Sequence, residues 1–279
     1  MTESGMSKAP ATKTVAAPGR VVGIASEKGG VGKSVLARTF VDWLRTNNYP
    51  VAAYDADGGV GALLRVLGTR DANGVLVKDQ DPSTGVGYYS CRDHAERSKL
   101  LDSIASGASF YAHDTPGGAL TDLTWIVDGG EGLRGLLDAF EAHDYRFTVL
   151  HVLSPDLSAT QSIARWLELT EGRADHVAVV NMRHGKPPQD FPYWGGFTTA
   201  SGVHKGGRTR EKLLADGGLE VNFPALPPGT FAKIDNENLP FSKAAEAGLL
   251  TVTERAHVSK FLRDFASAFA PVFELLGLR

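Results

Sequence analysis

The architecture of this chain is written most plainly in Val21-Val22-Gly23-Ile24-Ala25, followed by Ser26-Glu27-Lys28-Gly29-Gly30-Val31-Gly32-Lys33-Ser34. The first five residues predict a strand. From Lys33 to Asn47 the spacing of Leu36, Phe40 and Leu44 predicts a helix with one apolar face. Between them, Gly29, Gly30 and Gly32 free the backbone to curl with its N–H groups pointing inward, which suits phosphate oxygens. The helix start adds a positive dipole end. Lys33 offers a charge for β- and γ-phosphates, and the Ser34 hydroxyl a ligand for Mg²⁺. The frame G-x-x-x-x-G-K-S is met except at its first position, where Glu27 stands. Residues Gly29, Gly30, Val31, Gly32, Lys33, Ser34 and Val35 are therefore the candidate nucleotide-binding stretch.

Outward from this stretch, short apolar runs alternate with longer amphipathic ones. Further strands are expected at Val51–Tyr54, Phe110–His113, Phe147–Leu153, His176–Asn181 and Leu219–Phe223. Helices are expected at Ala62–Leu67, Arg92–Ala105, Leu133–Ala142, Ala159–Thr170 and Arg208–Ala215, with a last one over about Glu254–Leu276 despite Pro271. That alternation predicts an α/β fold: a doubly wound, mostly parallel sheet with helices on both faces. Residues 1–19, rich in Ala, Thr, Pro and Ser, are expected to be a flexible tail, and residues 20–279 a single domain. Within it, residues 183–207 break the rhythm with Gly, Pro and aromatics and read as an insertion.

Composition narrows the function. The formal net charge of −3 excludes a globally basic nucleic-acid binder but leaves room for a local basic patch. A lone cysteine, Cys91, allows no internal disulfide and suits a reducing, cytoplasmic compartment. No run of about 18 apolar residues is present to span a membrane. In the last helix, Val258, Phe261, Phe265, Phe269, Val272 and Phe273 recur at helical spacing. The cations Lys260, Arg263 and Arg279 are offset by Asp264 and Glu274, so core packing is the better account than membrane insertion.

Two acidic segments follow predicted strands: Tyr54-Asp55-Ala56-Asp57-Gly58-Gly59 and His113-Asp114-Thr115-Pro116-Gly117-Gly118. In an open α/β sheet the carboxyl ends of the strands form the ligand edge. Together with Lys28-Gly29-Gly30-Val31-Gly32-Lys33-Ser34, these segments resemble the deviant Walker A motif and the two switches of the ParA/MinD superfamily of P-loop ATPases. The resemblance spans roughly residues 20–247. It implies ATP and Mg²⁺ as cofactors, slow ATP hydrolysis and an ATP-dependent homodimer. It implies that Lys28 reaches across the dimer to the partner's nucleotide, a cation that would offset charge developing in the transition state. It further implies that Asp57 orients or activates the attacking water, that Asp55 supports the Mg²⁺ shell and Lys33, and that Asp114 holds Mg²⁺ through water beside Ser34. Asn181, at the end of a strand, would read the adenine. The loop Phe223-Pro224-Ala225-Leu226-Pro227-Pro228 would close the base pocket, with Pro227 as its candidate contact. One departure stands out: after Asp57 the chain has Gly58-Gly59-Val60 where many relatives carry Pro-Gln-Gly.

Branches of the superfamily that carry an iron–sulfur cluster need paired cysteines, which Cys91 alone does not supply. Arsenite-pump ATPases are duplicated, and bacterial tyrosine kinases end in a tyrosine cluster; this chain has no tyrosine after Tyr193. What is left is the partition and positioning group, in which a partner protein stimulates hydrolysis. Residues 183–212 interleave Arg183, Lys186, Lys205, Arg208, Arg210 and Lys212 with Phe191, Tyr193, Trp194 and Phe197. That pattern suits non-specific DNA binding, and equally a packed loop with a solvated face. Two alternatives stay open: a metabolic synthetase of the dethiobiotin-synthetase type, and a nucleotide-gated adaptor for plasmid transfer or stability.

Overall fold

The computed structural model describes residues 18–278 except 60 and 247. Strands in chain order are β1 (Gly19–Ala25), β2 (Ala52–Asp55), β3 (Gly87–Tyr88), β4 (Phe110–Asp114), β5 (Tyr145–Leu153), β6 (Asp175–Asn181), β7 (Phe197–Thr198), β8 (His204–Lys205) and β9 (Leu219–Phe223). Helices are α1 (Lys33–Thr46), α2 (Ala62–Leu67), α3 (Lys99–Asp102), α4 (Ala119–Thr124), α5 (Arg134–Ala142), α6 (Leu157–Thr170), α7 (Pro192–Gly195), α8 (Arg208–Ala215), α9 (Pro228–Asn236), α10 (Phe241–Ala244) and α11 (Val252–Leu275).

Seven strands form one parallel sheet in the order β3-β2-β4-β1-β5-β6-β9. The strand carrying the glycine-rich loop lies inside it, with Val21 facing Tyr111 of β4 on one side and Phe147 of β5 on the other. Strand side chains alternate between the two faces. Val22 and Ile24 join the cluster packed by α1, α2, α10 and α11, while Val21 and Ala25 join the opposite cluster with α4, α5 and Trp166 of α6. Both faces are thus covered, which explains the near-continuous apolarity of β5. The expected doubly wound parallel architecture is the observed one.

Helix α11 opens with a capping box, Thr251 accepting from the Glu254 N–H and Glu254 bonding back to the Thr251 N–H. Its apolar face is buried, with Phe265 and Phe269 fully covered and packed about Phe223. No helix among the described residues is long and apolar enough to cross a membrane.

One expected helix is largely absent. Residues 92–105 form turns, then the single-turn α3, then a 3₁₀ turn at Ser103–Ser106. Side chains capture the backbone there: Asp93 accepts from the Ala95 N–H, Glu96 from the Ser90 N–H, and Arg97 donates to the Arg92 carbonyl. Such local bonds compete with helical ones. The segment expected as an insertion, residues 183–207, holds a 3₁₀ turn at Met182–His184, α7 and the β7–β8 hairpin. Phe191 and Trp194 are buried in a third cluster with Ile163 and Leu167 of α6 and Leu213 of α8. Of the expected flexible tail, residues 1–17 lie outside the described residues, and Gly19 already belongs to β1.

Candidate nucleotide site at the carboxyl edge of the sheet

The loop between β1 and α1 lies at the carboxyl edge of the central strands. Gly30 and Gly32 take left-handed φ values of 77° and 104°. At Gly32 a second constraint applies, since a Cβ would lie 2.4 Å from Nδ2 of Asn181. Helix α1 starts directly after, with no side-chain cap and no acid in its first turn. Its first N–H groups are left for an external acceptor.

Lys33 is 7% exposed, and its ammonium donates to the Lys28 carbonyl at 3.1 Å. Burial lowers its pKa, a shift opposed by the charges of Asp114 and Asp57. The Ser34 hydroxyl stands close enough to Asp114 to favour its ionised form. Asp114, at the end of β4, is 3% exposed, and its Oδ1 has no hydrogen-bond partner. Burial and then the charge of Asp55 push its carboxyl up to about 7. Nearby Ser26 Oγ is also buried without a partner. Orphaned buried oxygens carry a desolvation cost that a hard cation would relieve. The donor set fits Mg²⁺ held by Ser34 and, directly or through water, by Asp114.

Asp55 faces Asp114 across the β2–β4 pairing and is fully buried. Its two oxygens accept from the Asp57 N–H at 3.2 Å and the Leu64 N–H at 3.0 Å, so it anchors the start of α2. Burial raises its pKa and those backbone bonds oppose the shift. That arrangement makes Asp55 a support for the site, with its oxygens already engaged. Asp57 is different: it is exposed, and its carboxylate has no hydrogen bond among the described residues. The second acidic segment closes over the loop, with the Gly118 N–H donating to the Ser26 carbonyl at 3.1 Å. A Cβ on Gly117 would stand 3.1 Å from the Gly29 nitrogen.

The Lys28 ammonium meets Asp156 at 3.1 Å, with both side chains about half exposed. The Ser154 hydroxyl and Lys28 hold the Asp156 carboxyl below its usual range. Asp156 stands at the N-cap position of α6, without a side-chain capping bond, and was missed in the sequence, although its place just past β5 on the ligand edge was a usable signal. Arg92 was missed too. It donates to the Gly117 carbonyl and its charge acts on Lys33; the misassigned helix over 92–105 hid it.

Beside Gly30, Gly32 and Val35 lies a cavity of about 220 Å³, walled by Asn181, Arg183, Pro224, Leu226 and Phe231. Asn181 is buried and donates to the Val31 carbonyl at 2.7 Å. Pro227 is not part of this wall; it is exposed at the N-cap of α9, and the loop presents Pro224, Ala225 and Leu226 instead.

The basic segment is less available than its composition suggests. Arg210 pairs with Glu220 at 2.6 Å and Lys212 with Asp216 at 2.7 Å. Phe191 and Trp194 are core residues, leaving Tyr193 as the exposed ring. Lys205 and Arg208 have no ion-pair partner among the described residues. They border a groove of about 870 Å³ between α6 and the β7–β8 hairpin.

Comparison with known proteins gives the family of the chain. Residues 22–223 match the family described as the CobQ/CobB/MinD/ParA nucleotide binding domain. No curated protein matches the chain in sequence. Among solved structures, the chain is similar to the septum site-determining protein MinD complexed with Mg-ADP from Pyrococcus horikoshii OT3. The identity is 15%, with 93% of this chain and 98% of that chain covered and a TM-score of 0.50. It is also similar to a MinC:MinD cell division protein complex from Aquifex aeolicus, at 16% identity, 88% and 96% coverage and TM-score 0.46. A putative plasmid partition protein from Borrelia burgdorferi B31 bound to AMPPNP matches at 12% identity, 89% and 99% coverage and TM-score 0.42.

Proposed function

Because the chain belongs to the CobQ/CobB/MinD/ParA nucleotide-binding domain family, we propose that it is a slow ATP hydrolase that forms an ATP-dependent homodimer and positions a cargo. The observation that carries this reading is the meeting of Lys33, Ser34 and Asp114 at the uncapped start of α1. The loop N–H groups and Lys33 bind the β- and γ-phosphates. The base enters the cavity beside Asn181. Ser34 and Asp114 would hold Mg²⁺, which would supply neutralising charge to the phosphates. Asp57, exposed and uncommitted, orients the attacking water. Lys28 is held only by a half-exposed ion pair with Asp156, a contact worth about 0–1 kcal/mol in such settings. It is therefore free to leave for the nucleotide of a second subunit, and hydrolysis then depends on dimerisation.

A partner protein stimulates hydrolysis and releases the dimer. Non-specific DNA is the proposed track, contacted through what residues 183–212 leave unpaired, chiefly Lys205 and Arg208. The test of the dimer is Lys28→Ala under sedimentation with ATP and with ADP. Loss of the ATP-specific dimer is expected, and a dimer that survives unchanged would sink this reading.

A second reading is favoured by one observation, the groove of about 870 Å³ beside the hairpin. It is roomy enough for a small molecule, as a synthetase activating a carboxylate would require. Fast multiple turnover with a small carboxylate and no macromolecular partner would select it.

A further inference from the structure

The wall of the base cavity is backed by a chain of ion pairs that ends at the acidic segment after β2. Phe231 of α9 lines the cavity. The guanidinium of Arg183 lies 6.0 Å from its ring centroid and that of Arg38 lies 5.5 Å from it. Arg38 belongs to α1, one turn beyond Ser34, and is 3% exposed. It also lies 5.6 Å from the Phe241 ring, and it donates to Asp235 Oδ1 at 2.7 Å. The same oxygen accepts from Arg65 Nη2 at 3.0 Å. Arg65 also donates to the main-chain carbonyl of Asp235 at 3.0 Å and to the side chain of Asn238. Arg65 is in α2, and the start of α2 is held by Asp55, whose other oxygen holds the Asp57 N–H.

Asp235 is thus a carboxylate on which three segments converge: α1 behind the phosphate loop, α2 behind the acidic segment, and α9 behind the base cavity. We propose that Asp235 is a positioning residue that couples filling of the base cavity to the placement of residues 55–59 and 61–64. The proposal rests on the nucleotide-switch reading above. The physical ground is that a shared, partly buried acceptor makes its two arginines move together. Movement of Phe231 against a base shifts Arg38 and α9, and the displacement reaches α2 through Arg65. Coupling between sites in proteins is commonly 5- to 150-fold in affinity, so an effect of about fivefold is the expected floor.

The experiment compares two probes, the β,γ-imido analogue of ATP and inorganic tripolyphosphate, each with Mg²⁺. They share the phosphates and differ in the base and ribose. In the wild type, the imido analogue should add hydrogen-exchange protection over residues 55–59 and 61–64 beyond that given by tripolyphosphate. In Asp235→Asn and, separately, Arg65→Gln, that added protection should vanish and affinity for the imido analogue should fall about fivefold. Tripolyphosphate affinity should be unchanged. The double variant should be no worse than either single one, because both cut the same link. A purely structural role would weaken both probes equally and add across the double variant, and either result would overturn the coupling. Equal protection of the wild type by the two probes would overturn it as well. Failure of the nucleotide reading itself looks different: the wild type would then bind neither probe.

Discussion

At the scale of single residues, the site separates carboxylates by what their oxygens already do. Asp55 is engaged with two backbone N–H groups, Asp114 has one orphaned oxygen, and Asp57 is free in solvent. Asp57→Ala should therefore lower ATP turnover by about 10²-fold or more, the range of a lost general-base or water-orienting group. Nucleotide affinity should change by less than about threefold; steady-state hydrolysis beside equilibrium titration checks both. Away from the site, His151 Nε2 and His176 Nδ1 lie 2.9 Å apart in the core, with His176 Nε2 bonded to Thr170. Burial lowers both pKa values, His176 to about 4. A histidine depressed in the folded state contributes stability above its unfolded pKa of about 6.5, and loses it as pH falls toward the folded value. Asp114, with its raised pKa, bends the overall pH profile the opposite way, so the signature must be read as a difference. The stability gap between wild type and His176→Gln, measured by urea unfolding, should narrow by about 2 kcal/mol between pH 7.5 and pH 5.

Elements show where physical chemistry was legible in the sequence and where it was not. Strands β1, β2, β4, β5, β6 and β9 were visible because buried parallel strands are near-unbroken apolar runs. Helix α11 was visible because its aromatics recur at helical spacing. Helices α9 and α10 were not expected, although Pro228 at the first helical position and Pro240 just before it mark places where proline favours a start. The loop from Val31 to Ser34 and the acidic segments could be placed from spacing alone. The pairing of Lys28 with Asp156 and the convergence on Asp235 join residues more than 100 positions apart, which local pattern does not encode. At α2 the element and the site share a constraint: a Cβ at Gly61 would fall 2.0 Å from the Asp55 carboxylate. Gly61→Ala should cost about 1–3 kcal/mol and weaken Mg²⁺-dependent nucleotide binding, as unfolding and titration with and without Mg²⁺ would record. In α11, Phe265→Ala should cost about 3–5 kcal/mol with no cavity at the nucleotide site, seen as a lower denaturation midpoint with nucleotide affinity kept at low temperature.

For the whole molecule, the net charge of −3 means that any attraction to a polyanion must come from a local surface. Lys205 and Arg208 are the cations of residues 183–212 that flank the groove without an ion-pair partner among the described residues. Lys205→Ala with Arg208→Ala should reduce the salt dependence of DNA retention by about two units of slope, one per phosphate contact. An unchanged slope in a filter-binding titration would move the DNA surface elsewhere.

The position of β1 also has a consequence for how the chain comes into being. Its neighbours are β4 and β5, so Val21 waits for residues 111 and 147 to be made before it is flanked on both sides. The wall of the base cavity waits longer, for residues 223–231. A site encoded in the first tenth or so of the chain is thus completed by contacts of very large sequence separation, whose loop-closure cost falls late in folding. During synthesis, the ability to hold nucleotide would be a property of the nearly finished chain, and its recovery on refolding would report that the sheet has closed around its innermost strand.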